Sequence, residues 1–89
     1  MFSFTDAAAT LISSLIDGAD LPEGSGLRFV LDPTQGSLVM GLADSPHTGD
    51  HVYRHADASV FVGRSAFPRL GNRTLDAGSG TRAPWFRLD

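Results

Sequence analysis

Three histidines and two aspartates lie close together between residues 47 and 57, and their side chains are of the kinds that bind metal ions. One interpretation is a metal site of two imidazoles and a carboxylate, with His47 and His51 among the ligands and Asp50 or Asp57 completing it, within one chain or across a subunit interface. The sequence around His55 favours a strand instead, in which four residues span about 13 Å, so that His51 and His55 could not ligate one ion. We expect exposed histidines on a loop and an edge strand, and keep the metal site as the alternative.

Thiol chemistry is excluded, because none of the 89 residues is a cysteine. Disulfides, thiolate nucleophiles and cysteine-held clusters are therefore ruled out. The glycines form no phosphate-binding loop, and no serine stands in a Gly-x-Ser-x-Gly motif. Asp44 and Asp50 flank a polar loop with Pro46 and Gly49, where aspartate commonly stabilises a turn. We find no catalytic constellation and expect that the protein is not an enzyme.

The composition, with 42% hydrophobic and 19% charged residues, predicts one globular domain over residues 1–89. The net charge is −3, and the seven cationic residues, all arginines, are scattered singly, Arg82 among them. We therefore expect no nucleic-acid partner. A bilayer crossing takes about 20 apolar residues, and the chain has no such run, so we expect no membrane association and a cytoplasmic location. Because so small a core is thin, a homo-oligomer is expected.

The hydrophobic pattern predicts which elements position these residues. A helix over residues 5–18 is indicated by Thr5 as N-cap and Gly18 as a C-terminal stop. The side chains expected on its buried face are Ala8, Leu11, Ile12, Leu15 and Ile16. A short second helix is expected from Ser65, as its cap, to Leu70. Alternation with a period of two predicts strands over residues 27–31, 38–42, 52–55, 58–62, 75–77 and 83–88. The fold class is α+β, with short mixed or antiparallel strands.

Trp85 and Phe86 stand next to each other in the last predicted strand. Neighbouring residues of a strand face opposite sides, so one ring is expected in the core and the other at the surface. Aromatic residues are enriched in subunit contacts. We therefore predict that this pair contributes to an interaction with another subunit or a protein partner.

Three stretches, in collinear order over nearly the whole chain, together resemble the A-type iron–sulfur carrier (HesB/IscA-like) family. FTDAAATLISSLI is similar to that family's opening helix, and LPEGSGLRFVL to its connector and first strand. GDHVYRHADASVFVGRSAFPRLGNRTLDA is close to its Gly-Asp turn, strand pair, short helix and Thr-Leu-Asp motif. The resemblance implies a compact HesB-like α+β domain and a relation to iron–sulfur cluster biogenesis.

The same resemblance implies three cysteine ligands, and the sequence departs from the family at each of them. The first ligand position falls at Thr34 or Gln35, and the C-terminal pair has no counterpart before Asp89. Hydroxyl and amide side chains are poor ligands for iron or a cluster, which prefer thiolate. We therefore expect a cysteine-less, degenerate member without a cofactor, which acts as a non-catalytic interaction or oligomeric protein.

Overall fold

The computed structural model describes residues 1–79 and 83–89, so that Arg82 lies outside the described residues. The described part is an α+β domain, as predicted. Its helices are α1 (Asp6–Gly18) and α2 (Phe67–Leu70). Its strands are β1 (Ser3–Phe4), β2 (Gly26–Leu31), β3 (Leu38–Ala43), β4 (His51–His55), β5 (Ala58–Val62), β6 (Thr74–Gly78) and β7 (Trp85–Leu88). Neither helix within these residues is long and apolar enough to cross a membrane.

Helix α1 begins where the sequence predicts, because the side chain of Thr5 satisfies a free amide of the first turn. Its Oγ1 accepts a hydrogen bond from the Ala8 amide over 3.1 Å. The helix buries Ala8 and Ile12, as expected, against the two sheets. Leu15, which the spacing assigns to the same face, is 39% exposed, because it lies at the margin of the buried stripe.

The strands form two mixed sheets. The larger has the order β3-β2-β5-β4, in which β2 pairs with β5 in parallel and the two outer pairs are antiparallel hairpins. The smaller has the order β1-β6-β7, with β1 parallel to β6. The core lies between these sheets and α1, and its larger side chains are Phe2, Phe4, Phe29, Ile12, Leu27, Val60, Val62, Leu70 and Leu75. Every residue of β5 is buried.

Helix α2 begins one residue later than predicted. Its N-cap is Ala66, with no side-chain cap hydrogen bond, so that the expected capping role of Ser65 is wrong. The reason is a backbone turn: the amides of Ala66 and Phe67 both donate to the Gly63 carbonyl over 3.0 Å, which leads the chain into the helix without a side-chain cap. Pro68 lies in the first turn, where its missing amide hydrogen costs nothing.

Candidate functional site

The turn between β2 and β3 contains Thr34 and Gln35, the two positions where the family resemblance would place the first ligand. The Asp32 carboxylate accepts a hydrogen bond from the Thr34 amide over 2.8 Å, and the Asp32 carbonyl accepts one from the Gly36 amide over 2.8 Å. Gly36 has a φ of +70°, which favours glycine. The turn is exposed and is held by its own hydrogen bonds, and the Asp32 carboxylate is already engaged by backbone amides.

Helix α2 reaches the same turn through Arg69. Its Nη1 donates a hydrogen bond to the Gly36 carbonyl over 2.7 Å. At the other edge of the large sheet, the ring of Phe67 stacks on His51 with 3.8 Å between ring centroids. The short helix therefore spans one end of the sheet, from β4 to the β2–β3 turn, and it places a guanidinium beside the turn.

Asp50, one of the three predicted metal ligands, is committed to an ion pair. Its carboxylate accepts two hydrogen bonds from Arg28, of 2.9 Å and 2.8 Å, and the Asp50 side chain is only 1% exposed. A third hydrogen bond comes from the His47 amide over 2.9 Å. The hydrogen bond from Arg28 holds the pKa of Asp50 below its ordinary value of 3.8, and burial acts in the opposite direction. The same hydrogen bond raises the pKa of Arg28.

The three histidines are used in three different places. His47 contributes its backbone amide to Asp50, and the imidazole of His51 stacks on Phe67. Nε2 of His55 contacts the Asp6 carboxylate at the start of α1. The segment from His51 to His55 is strand β4, at the edge of the sheet, as the sequence indicates. No group of three histidine or acidic residues in the described ranges is arranged to hold a metal ion, so the geometry gives the alternative metal site no support.

Trp85 and Phe86 do alternate across β7. Phe86 packs against the core, whereas Trp85 is 44% exposed. The Trp85 indole lies over Gly78, so closely that a β-carbon added to this glycine would be only 2.3 Å from the Cζ2 atom of the ring. The Arg87 guanidinium carbon lies 5.4 Å from the indole centroid. The outward ring is therefore held against its own sheet by two neighbours, and its role in an interaction stays a prediction.

Strand β3 contains exposed residues that the sequence analysis did not single out. Val39 and Met40 are each 44% exposed and Leu42 is 38% exposed, on a strand that lies at the edge of the sheet. The alternation of Leu38, Met40 and Leu42 suggests a buried face, but the core covers this outer strand only in part. The available signal is that the strand has no polar residue on either face.

Known structures resemble this chain over nearly its full length. Escherichia coli SufA, which is involved in the biosynthesis of iron–sulfur clusters, superimposes with a TM-score of 0.81 at 25% identity, over 99% of this chain and 83% of SufA. The chain has the fold of the A-type iron–sulfur carriers. IscA with a [2Fe–2S] cluster gives a TM-score of 0.69 at 20% identity, over 100% of this chain and 81% of IscA. A protein from Aquifex aeolicus gives 0.75 at 23% identity, over 99% of this chain and 89% of that protein.

The carrier fold thus confirms the resemblance drawn from the sequence, and it occurs here on 89 residues without a cysteine. No protein-family model and no curated protein matches the chain. The likeness is therefore carried by the three-dimensional structure.

Proposed function

We propose that this chain is a non-catalytic interaction protein on the carrier fold, related to iron–sulfur cluster assembly but unable to hold a cluster itself. The observation that carries the proposal is the combination of that fold with the absence of any cysteine. Iron and iron–sulfur clusters depend on thiolate ligands in such sites, and the chain offers none.

The chemistry of the β2–β3 turn supports this proposal. The Asp32 carboxylate already accepts from a backbone amide, and Thr34 and Gln35 supply only neutral oxygen and nitrogen atoms. The guanidinium of Arg69, which donates a hydrogen bond to the Gly36 carbonyl, adds a positive charge. A positive charge beside the turn disfavours cation binding there.

The exposed apolar residues of β3 support a role in contacts between proteins. Val39, Met40 and Leu42 lie on one edge strand, and each exposes more than a third of its surface. Clustered exposed apolar side chains are a mark of interaction surfaces. A protein without the ligands but with such a surface can still bind another subunit or a partner.

Anaerobic reconstitution with Fe²⁺ and sulfide tests the proposal, with Escherichia coli SufA treated in parallel as the positive control. After desalting, we expect no visible chromophore and no stoichiometric iron or sulfide on this chain. A brown chromophore that stays with the folded protein, held by its own side chains, would contradict the proposal.

The same desalting assay with Zn²⁺ tests the alternative site of His47, Asp50 and His51. We expect zinc to be removed, because Asp50 is engaged by Arg28. Stoichiometric zinc that is retained by the wild type and lost in His51→Ala would favour the alternative.

A further inference from the structure

The outer edge of β3 lacks the devices that usually protect an edge strand. Its six residues, LVMGLA, include no charge and no proline. β4, at the other edge of the same sheet, carries Arg54 between two histidines. Among residues 1–79 and 83–89, no strand pairs with the outer side of β3. Its free amides and carbonyls, flanked by apolar side chains, therefore form a template for another strand.

The register of the β2–β3 hairpin shows which backbone groups point outward. The Asp32 amide donates to the Ser37 carbonyl, and Asp32 and Ser37 are the next pair after Leu31 and Leu38 in the ladder. Because hydrogen-bonded and non-hydrogen-bonded pairs alternate in an antiparallel ladder, the pair containing Leu38 is not bonded to β2. The residues of β3 with outward amides and carbonyls are thus Leu38, Met40 and Leu42.

We propose that β3 pairs with β3 of a second copy of this chain, antiparallel about a two-fold axis at Met40. The proposal rests on the proposed role as an interaction protein and names the partner. In this register Met40 lies opposite the partner's Met40, and Leu38 lies opposite the partner's Leu42. The three residues of each β3 strand whose backbone amides and carbonyls point outward are then all hydrogen-bonded to the other copy. The two four-stranded sheets become one sheet of eight strands.

The side chains fit this register on both faces of the sheet. Leu38, Met40 and Leu42 form a continuous apolar row with the same three residues of the other copy. On the opposite face, Val39 lies across from the partner's Gly41. A β-carbon at Gly41 would contact nothing within 4 Å in the single chain, so there is open space for the valine. The strand is therefore complementary to itself, as a two-fold interface requires.

The charges at the ends of the strand are complementary as well. The register that centres on Met40 brings Asp44, just beyond the end of β3, to the level of the partner's Gly36. The Gly36 carbonyl is the atom to which Arg69 donates, over 2.7 Å. The Asp44 carboxylate of each copy thus lies towards the Arg69 guanidinium of the other, which gives two such contacts across the interface. Opposite charges at such a rim fix the register of an interface.

A single introduced cysteine tests the register directly, because the chain has none of its own. In Met40→Cys, the two thiols face each other across the axis, with α-carbons about 5.5 Å apart in a hydrogen-bonded pair, within the range that a disulfide bridges. The matched control is Val52→Cys on β4, where Val52 is 42% exposed. We expect Met40→Cys to form a disulfide-linked dimer under mild oxidation at a rate at least tenfold above that of Val52→Cys. Equal rates would contradict the proposal.

Light scattering after gel filtration gives a second, independent readout. We expect a wild-type dimer whose dissociation constant rises at least tenfold in Met40→Lys, because two like charges meet on the axis, and stays unchanged in Val52→Lys. Circular dichroism shows whether each variant is folded, and Leu42→Lys replaces Met40→Lys if the latter is not. A wild type that is monomeric at several hundred micromolar would overturn the β3 dimer.

The two proposals fail separately. A cluster bound in the reconstitution assay refutes the proposed function whatever the oligomeric state. A monomeric wild type that binds no cluster refutes only the proposal that β3 pairs with a second copy of this chain. The partner of β3 would then be a different protein.

Discussion

Arg28 reaches Asp50 across strand β5, which lies between the strand that carries the arginine and the strand that follows the aspartate. The guanidinium passes over Gly63, where a β-carbon would be 3.3 Å from Nη2. The ion pair thereby fixes the segment before β4 to the centre of the large sheet.

Replacing Asp50 by asparagine removes the charge and leaves the Arg28 guanidinium without its partner. Loss of one partner of a fully buried pair costs about 3–5 kcal/mol, and since Arg28 is 19% exposed we expect about 2–3 kcal/mol here. Urea unfolding measures the change. Glu23→Gln, on an exposed residue outside the pair and away from β3, is the control and should change the free energy of unfolding by less than about 0.5 kcal/mol. Equal effects of the two variants would show that the pair contributes nothing specific.

The pair also predicts how stability depends on pH. The pKa of Asp50 lies below 3.8 in the folded protein. The ionised carboxylate therefore adds fully to the free energy of unfolding at a pH above the pKa that Asp50 has in the unfolded chain. This contribution is lost as the pH falls through the lower pKa of the folded protein. Asp76, which accepts a hydrogen bond from Thr5, has its pKa lowered in the same direction. We expect the melting temperature of the wild type to fall as the pH is lowered below about 4. Asp50→Asn should show a shallower fall, and parallel curves would count against a role for Asp50.

Gly26, the first residue of β2, lies close against β5. A β-carbon at this position would be 2.5 Å from the Ser59 carbonyl oxygen and 3.0 Å from the Phe61 ring. Because the first of these atoms belongs to the backbone of a central strand, Gly26→Ala is expected to destabilise the protein by about 1–3 kcal/mol or to prevent folding. Gly18→Ala, where no atom lies within 4 Å, is the control for thermal unfolding. A Gly26→Ala protein as stable as the control would contradict the packing described.

Trp85 is the single tryptophan of the chain and reports on its own contact with Gly78. Gly78→Ala places a methyl group where the indole lies, so the ring must swing outward into water. We expect a red-shifted fluorescence maximum and stronger quenching by acrylamide, with circular dichroism unchanged. Gly18→Ala serves as the control, because a β-carbon added there meets no atom within 4 Å, the indole included. An unchanged spectrum would show that the backbone moves in place of the indole.

Local signals in the sequence are enough to predict α1 and the strands of the large sheet. The Thr5 cap, the helical spacing of Ala8 and Ile12, and the turn at Pro33 and Gly36 each act over a few residues. The order of the strands is out of reach, because the parallel pairing of β2 with β5 joins Leu27 to Val60, far apart in the chain. Periodicity within a segment carries no information about such a partner.

For the same reason, the residue types at the candidate site can be predicted from the sequence, but the contacts between its distant residues cannot. The absence of thiolate at Thr34 and Gln35 can be established from residue types alone. The commitment of Asp50 to Arg28 cannot, since the two residues are 22 positions apart and only the folded sheet brings them together. The exposure of Met40 depends equally on β3 being an outer strand, which the alternation of its residues does not reveal.

The parallel pairing of β1 with β6 sets a condition on folding during synthesis. Ser3 is aligned with Thr74 and Phe4 with Leu75, so the second sheet has no central strand until more than four fifths of these residues have been translated. The two hairpins of the large sheet close over short distances and can form earlier on the ribosome. Until β6 emerges, β1 has no neighbouring strand, and Leu75 and Ala77 are missing from the core that finally buries Phe2 and Phe4, so the nascent chain exposes apolar surface at that stage.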